Sequence, residues 1–186
     1  DAMMEPDVRI ETNKTGFCEH HYDKMMNRRG RLQLALMLQT HIDEINGTVF
    51  AKKLLLSDNK RAESAKRVSD ACFICQKIEW GLSRMIETVW RCYENREMFN
   101  SQPMFCLPHY ERLLSGASKK NMRRYGGEFA DNLNRITGEY SKELYADLSK
   151  YCKMYDYASR ENADWGNSKS AVERTVAFLN GRTHKE

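Results

Sequence analysis

No apolar run in this sequence approaches the roughly 18 consecutive residues that a membrane-spanning helix needs. The N-terminus also lacks a basic segment followed by an apolar core, so no export signal is legible. Both absences lead us to expect a soluble, intracellular, cytoplasmic protein. Glycine (10) and proline (3) are scarce among 186 residues, which suits a helix-rich globular protein and argues against a disordered tail. Charge of one sign is not in excess: 30 basic and 26 acidic residues leave +4, and the two kinds are interspersed, so nucleic acid is not implied as a partner. A Gly-rich phosphate loop, a nucleophile elbow, a His-Glu-x-x-His helix and an isolated carboxylate pair are all missing, which leaves hydrolase and nucleotide-enzyme readings without support.

With 41% hydrophobic and 30% charged residues, the chain has ample core material, and its size alone demands neither disulfides nor metal. No convincing period-2 strand occurs, whereas helical spacing recurs throughout. From Arg31 to Leu56, the residues Leu34, Leu38, Ile42, Ile45 and Val49 fall on one helical face. Ser57 to Asp70 is almost wholly polar and reads as a linker or an exposed helical turn. A second helix is expected over 72–99, with Ile74, Ile78, Met85, Val89 and Tyr93 inward. A short one should follow Pro108 and end near Gly116. The longest pattern runs from Phe129 to Tyr155, interrupted only by Gly138. In the last helix, capped by Asn167 or Ser168 and stopped by Gly181, Val172, Val176 and Leu179 face inward. The expected fold is all-α, an irregular bundle of about five or six helices with a Cys3His metal site. It forms a single helical domain over 1–186, in which 1–57 is a first, incomplete metal-motif repeat and 71–186 holds the second repeat and the C-terminal helices.

That repeat is explicit: FCEHHYDKM at Phe17–Met25 and FCLPHYERL at Phe105–Leu113 share Phe, Cys, His and Tyr at the same spacing. Each Cys-x-x-His opens an amphipathic segment, so thiolate and imidazole can reach one ion across a first helical turn. Cys72-x-x-Cys75 lies 31 residues before Cys106, counted from Cys75, and supplies two more thiolates. The expected metal ligands are therefore Cys72, Cys75, Cys106 and His109. Zinc is the leading ion, and an iron–sulfur cluster is the alternative that spacing alone does not separate. Thioredoxin-like chemistry is disfavoured because no βαβ pattern surrounds the Cys-x-x-Cys. Cys18 and His21 read as half of a second site, for which the 88-residue offset between repeats places the matching Cys-x-x-Cys upstream of Asp1. The chain, which begins with Asp instead of Met, is thus expected to be a portion of something longer. Cys92 and Cys152 are assigned to helix packing.

EPDVRIETNKTGFC, RLQLALMLQTH, CFIC, FCLPH and WGNSK together resemble a bacterial family known as a domain of unknown function (6062-like), over nearly the whole chain. The resemblance implies an upstream segment with its own Cys-Pro-x-Cys pair and implies no activity.

The remaining polar residues have plain readings. His41 is a hydrogen-bonded core residue, Asn167 a cap, Arg174 an ion-pair partner, and Arg9 and Glu11 ties for the N-terminal segment. Trp165 flanks the final helix. A Cys3His set is closed to water and substrate, so a non-enzymatic role is favoured: a zinc-stabilised helical protein that binds another protein or a small molecule. A redox or iron–sulfur protein is the alternative. A zinc-dependent nucleic-acid binder using Lys119, Lys120, Arg123 and Arg124 is a further one, although nearby acidic residues make that run a solvated surface.

Overall fold

The computed structural model describes residues 5–51, 57–117, 122, 124–155 and 164–181. Among these, every regular element is helical: α1 (Pro6–Thr15), α2 (Glu19–Met26), α3 (Arg31–Thr48), α4 (Asp58–Asp70), α5 (Phe73–Arg91), α6 (Arg96–Asn100), α7 (Leu107–Ala117), α8 (Gly126–Lys153), a 3-10 turn (Gly166–Ser170) and α9 (Ala171–Asn180). None is long and apolar enough to cross a membrane. The fold is all-α, with more and shorter helices than periodicity suggested. Two compact units divide it, Asp1–Ser83 and Arg84–Glu186, and the boundary falls within α5.

In the first unit α1 packs on α3. The buried face of α3 is Leu34, Met37 and His41, while Ile42 is exposed, so the apolar stripe is turned from the expected one. The cause is α1. His41 Nδ1 contacts the Asn13 carbonyl at 2.6 Å, Thr40 donates to Asn13 Oδ1 at 2.7 Å, and Arg9 reaches the Leu36 carbonyl at 2.9 Å and the Thr40 hydroxyl. His41 is thus the bonded core residue that was expected. Its ring lies against Gly16, where φ is +58° and ψ −151°, a region only glycine populates readily. A Cβ there would sit 2.5 Å from His41 Nε2, so both backbone and space require glycine. Gly16 ends α1 by donating to the Thr12 carbonyl and turns the chain toward Cys18.

The polar stretch after Ser57 is a full helix, α4, with no buried residue. Its Ala, Lys, Arg and Glu are strong helix formers, so backbone propensity sustains it where burial does not. Residues 52–56, where the α3 pattern was expected to continue, lie outside the described residues.

In the second unit α8 is the central element, and α7, the 3-10 turn and α9 all pack on it. Phe129, Leu133, Ile136 and Leu144 form its buried stripe as the 3.6-residue spacing predicts. Tyr93, 1% exposed, closes one end with edge-on contacts to Phe99 and Phe129. Trp90 donates to the Leu113 carbonyl at 3.1 Å and lies flush on Gly116, where a Cβ would come within 1.6 Å of a ring carbon. The helix expected over 72–99 breaks after Arg91, because Asn95 caps α6 by accepting from the Met98 amide. Its inward face also differs: Ile78 and Met85 are exposed, and Ile86 is buried. In α9, Ala171 and Phe178 are buried while Val172 and Leu179 are exposed. Arg174 pairs with Asp147 and Glu143 as expected and also donates to the Asn167 carbonyl. Trp165 stacks edge-on against Tyr151 and Tyr155. Cys92 and Cys152, assigned to packing from sequence, are exposed, because the buried stripes pass beside them. The basic run Lys119, Lys120 and Arg123 lies outside the described residues, and Arg124 stacks on Tyr125.

Candidate metal centre

Two segments of the first unit meet at the site. Cys18 precedes α2, and its carbonyl accepts from the His21 and Tyr22 amides at 3.0 and 2.9 Å, which places Cys18 and His21 on the same side of one helical turn. Cys72 and Cys75 open α5 in the same manner, with the Gln76 amide bonded to the Cys72 carbonyl and the Cys75 amide pointing at Cys72 Sγ, 3.5 Å away. What joins the two turns is a backbone bond from Phe73 to the Gly16 carbonyl at 3.0 Å, together with an apolar cluster of Phe17, Met37, Cys72 and Phe73. Phe17 meets Phe73 and Tyr22 edge-on, and α4 returns the chain so that Cys72 follows directly from its end.

The result is a four-residue set, Cys18, His21, Cys72 and Cys75, whose ligand atoms all lie within 4.8 Å of one another. His21 Nδ1 is 3.2, 3.4 and 3.5 Å from the three sulfurs of Cys18, Cys72 and Cys75, and Cys18 Sγ is 3.8 Å from Cys75 Sγ. A zinc ion with bonds of about 2.3 Å to sulfur and about 2.0 Å to nitrogen has tetrahedron edges of about 3.8 Å (S to S) and about 3.5 Å (S to N). These four edges fall at or slightly inside those values, and the two sulfur–sulfur edges at Cys72 lie within 4.8 Å, so a single ion fits with small adjustments. Cys72 and His21 are buried and Cys75 is exposed, which leaves one edge of the set facing outward.

The thiols also perturb one another. Burial pushes the Cys72 thiol up, but hydrogen bonds from the backbone at Cys75 and Cys18 and from their side chains outweigh it and bring it down to about 6. Cys75, by donating to Cys72, is pushed up to about 11. With Cys72 held down and Cys75 held up, these two sulfurs do not ionise together without a cation, a conflict that a divalent ion relieves.

The set takes two of its members, Cys72 and Cys75, from the four ligands expected in sequence. Cys18 and His21, expected as an isolated half, stand beside them. Cys106 and His109 lie in the second unit, where Cys106 Sγ is 3.0 Å from His109 Nδ1. What joins Cys18 to Cys72 in the fold is the contact of Phe17 with Phe73; because Phe105 precedes Cys106 in the same way, the sequence itself carries no signal that singles out this pairing.

Residues 1–186 match the model of a family described as a family of unknown function (DUF6062), and the chain belongs to that family. Searches of curated proteins and of solved structures found no match.

Proposed function

We propose that this DUF6062 chain binds one zinc ion through Cys18, His21, Cys72 and Cys75 and uses it to hold a helical scaffold whose role is binding, not catalysis. The carrying observation is the edge lengths of the four-atom set, which suit a mononuclear tetrahedral ion. Three thiolates and an imidazole fill the four positions, so substrate and activated water have no place on the metal. What the ion would supply is a cross-link between the α1–α2 turn and the start of α5, which are 54 residues apart from Cys18 to Cys72. An iron–sulfur cluster spreads its ligands over several irons and suits sulfurs set further apart than 3.8 Å, so the compact set favours a single ion.

A binding role draws support from the second unit. There Thr88, Val89, Cys92, Asn95, Met98, Phe99 and Phe105 line a mainly apolar cleft of about 340 Å³, within the size range of small-molecule pockets. The bound partner is then a protein segment or small molecule with an apolar portion, and the protein works in the cytoplasm, where thiols stay reduced. Elemental analysis with an absorption spectrum of anaerobically purified protein tests the metal reading. Zinc without visible absorption is the expected result; iron with sulfide absorption moves the protein to redox chemistry, and no metal removes the reading.

A further inference from the structure

The second Cys-x-x-His segment has no part in the centre described above, yet it is built like the first. We infer that Cys106 and His109 form half of a second site for a soft divalent cation such as zinc, closed by the two thiolates of a Cys-x-x-Cys turn on another polypeptide segment.

The local geometry repeats closely. Cys106 precedes α7 as Cys18 precedes α2, and the tyrosine four residues on donates to its carbonyl at 2.8 Å, against 2.9 Å in the first copy. The same two atoms approach each other, Sγ and Nδ1, at 3.0 Å against 3.2 Å. The second pair is also held firmly. Phe105 stacks on Phe99, Tyr110 donates to Asn134 on α8 at 2.7 Å, and Cys106 is buried near the end of α9, where a Cβ on Gly181 would lie 3.2 Å from its sulfur.

Where the copies differ, the difference points to a polypeptide cover. His21 is buried among the sulfurs of Cys72 and Cys75, whereas His109 is only half-buried. Glu19 and His20 of the first copy become Leu107 and Pro108, both exposed, so the rim of the second pair is apolar where that of the first is polar. Two ligands do not complete a tetrahedron, and water or a small anion gains nothing from an apolar rim. A chain segment carrying two thiolates would complete the ion and bury Leu107 and Pro108 together. The first pair is closed in that way, and the 186 residues hold a single Cys-x-x-Cys, already engaged there.

The inference rests on the first site only for its ligand pattern, and one titration separates the two. The full chain, reduced and metal-free, is titrated with Co(II), whose thiolate charge-transfer and d–d bands report tetrahedral sulfur ligation. It is done with and without a millimolar peptide copying residues 71–80 as the Cys-x-x-Cys donor. The expected result is one equivalent without peptide and two with it, the second lost in Cys106→Ser and in His109→Ala while the first remains. Saturation at one equivalent with or without peptide overturns the inference, as does a second equivalent that persists in Cys106→Ser. An extra half-equivalent without peptide, with the mass doubled, also overturns it by assigning closure to a second copy of the chain. Absence of the first equivalent, by contrast, strikes the first-site reading, and the second is then judged on its dependence on peptide and Cys106.

Discussion

Replacing Cys18 with Ser separates the metal grouping seen in the structure from the one that spacing suggests. The hydroxyl that replaces Sγ is neutral at ordinary pH and is a poor zinc ligand, so three of four ligands remain. With free zinc at 1,000 times the dissociation constant, a bound ion stabilises the folded state by about 4.1 kcal/mol; weakening affinity a hundredfold leaves about 1.4 kcal/mol. The difference, about 2.7 kcal/mol, acts on a unit spanning Asp1–Ser83. At roughly 4–8 °C per kcal/mol for a domain of this size, its unfolding midpoint should fall by about 11–22 °C. Calorimetry and metal analysis of the same samples read both effects, and a chelator added to the parent protein should reproduce the loss. Cys106→Ser should keep the metal of the first unit and its midpoint. Metal and midpoint retained in Cys18→Ser but lost in Cys106→Ser would instead join Cys72 and Cys75 to Cys106 and His109.

Thiol reactivity should divide the six cysteines by position: Cys92 and Cys152, exposed and outside the set, react at once in the metal-loaded protein, whereas Cys75, also exposed, reacts only after chelation. Rapid labelling of Cys75 before chelation, located by peptide mapping, would contradict its place as a ligand. Gly16→Ala forces a side chain into a glycine-only conformation and against the His41 ring, for a cost of about 2–4 kcal/mol. Because Gly16 also accepts from Phe73, metal affinity should fall with stability, and an unchanged denaturation midpoint would count against the described turn. Gly116→Ala should displace the Trp90 ring, at a cost of about 1–3 kcal/mol and with a shift in tryptophan emission; neither change appearing would show that the ring does not lie there.

The helical class, the metal-ligand residue types and the α8 stripe were legible in the sequence because each depends on short-range spacing. What periodicity missed depends on which surfaces meet. Ile42 continues the α3 pattern on paper, but α1 docks through Arg9, Asn13 and His41, which turns that pattern away from the core. Ser57 to Asp70 lacks an apolar face, and a helix held by propensity alone leaves no periodic trace. The grouping of ligands was illegible for the same reason. Counting residues favours the 31-residue interval from Cys75 to Cys106 over the 54-residue interval from Cys18 to Cys72, yet the fold brings the sulfurs at the ends of the longer interval within 4.8 Å of each other. The aromatic contact of Phe17 with Phe73 holds that closure, and a hydrophobic contact has no spacing rule by which a sequence could announce it.

X-ray absorption at the zinc edge on the purified chain reads the four-ligand site most directly. Three sulfur neighbours at about 2.3 Å and one nitrogen at about 2.0 Å are predicted, falling to two sulfurs and one nitrogen in Cys18→Ser. A shell of oxygens, a second metal at short range, or a parent-like spectrum from Cys18→Ser would contradict the claim that Cys18, His21, Cys72 and Cys75 hold one ion.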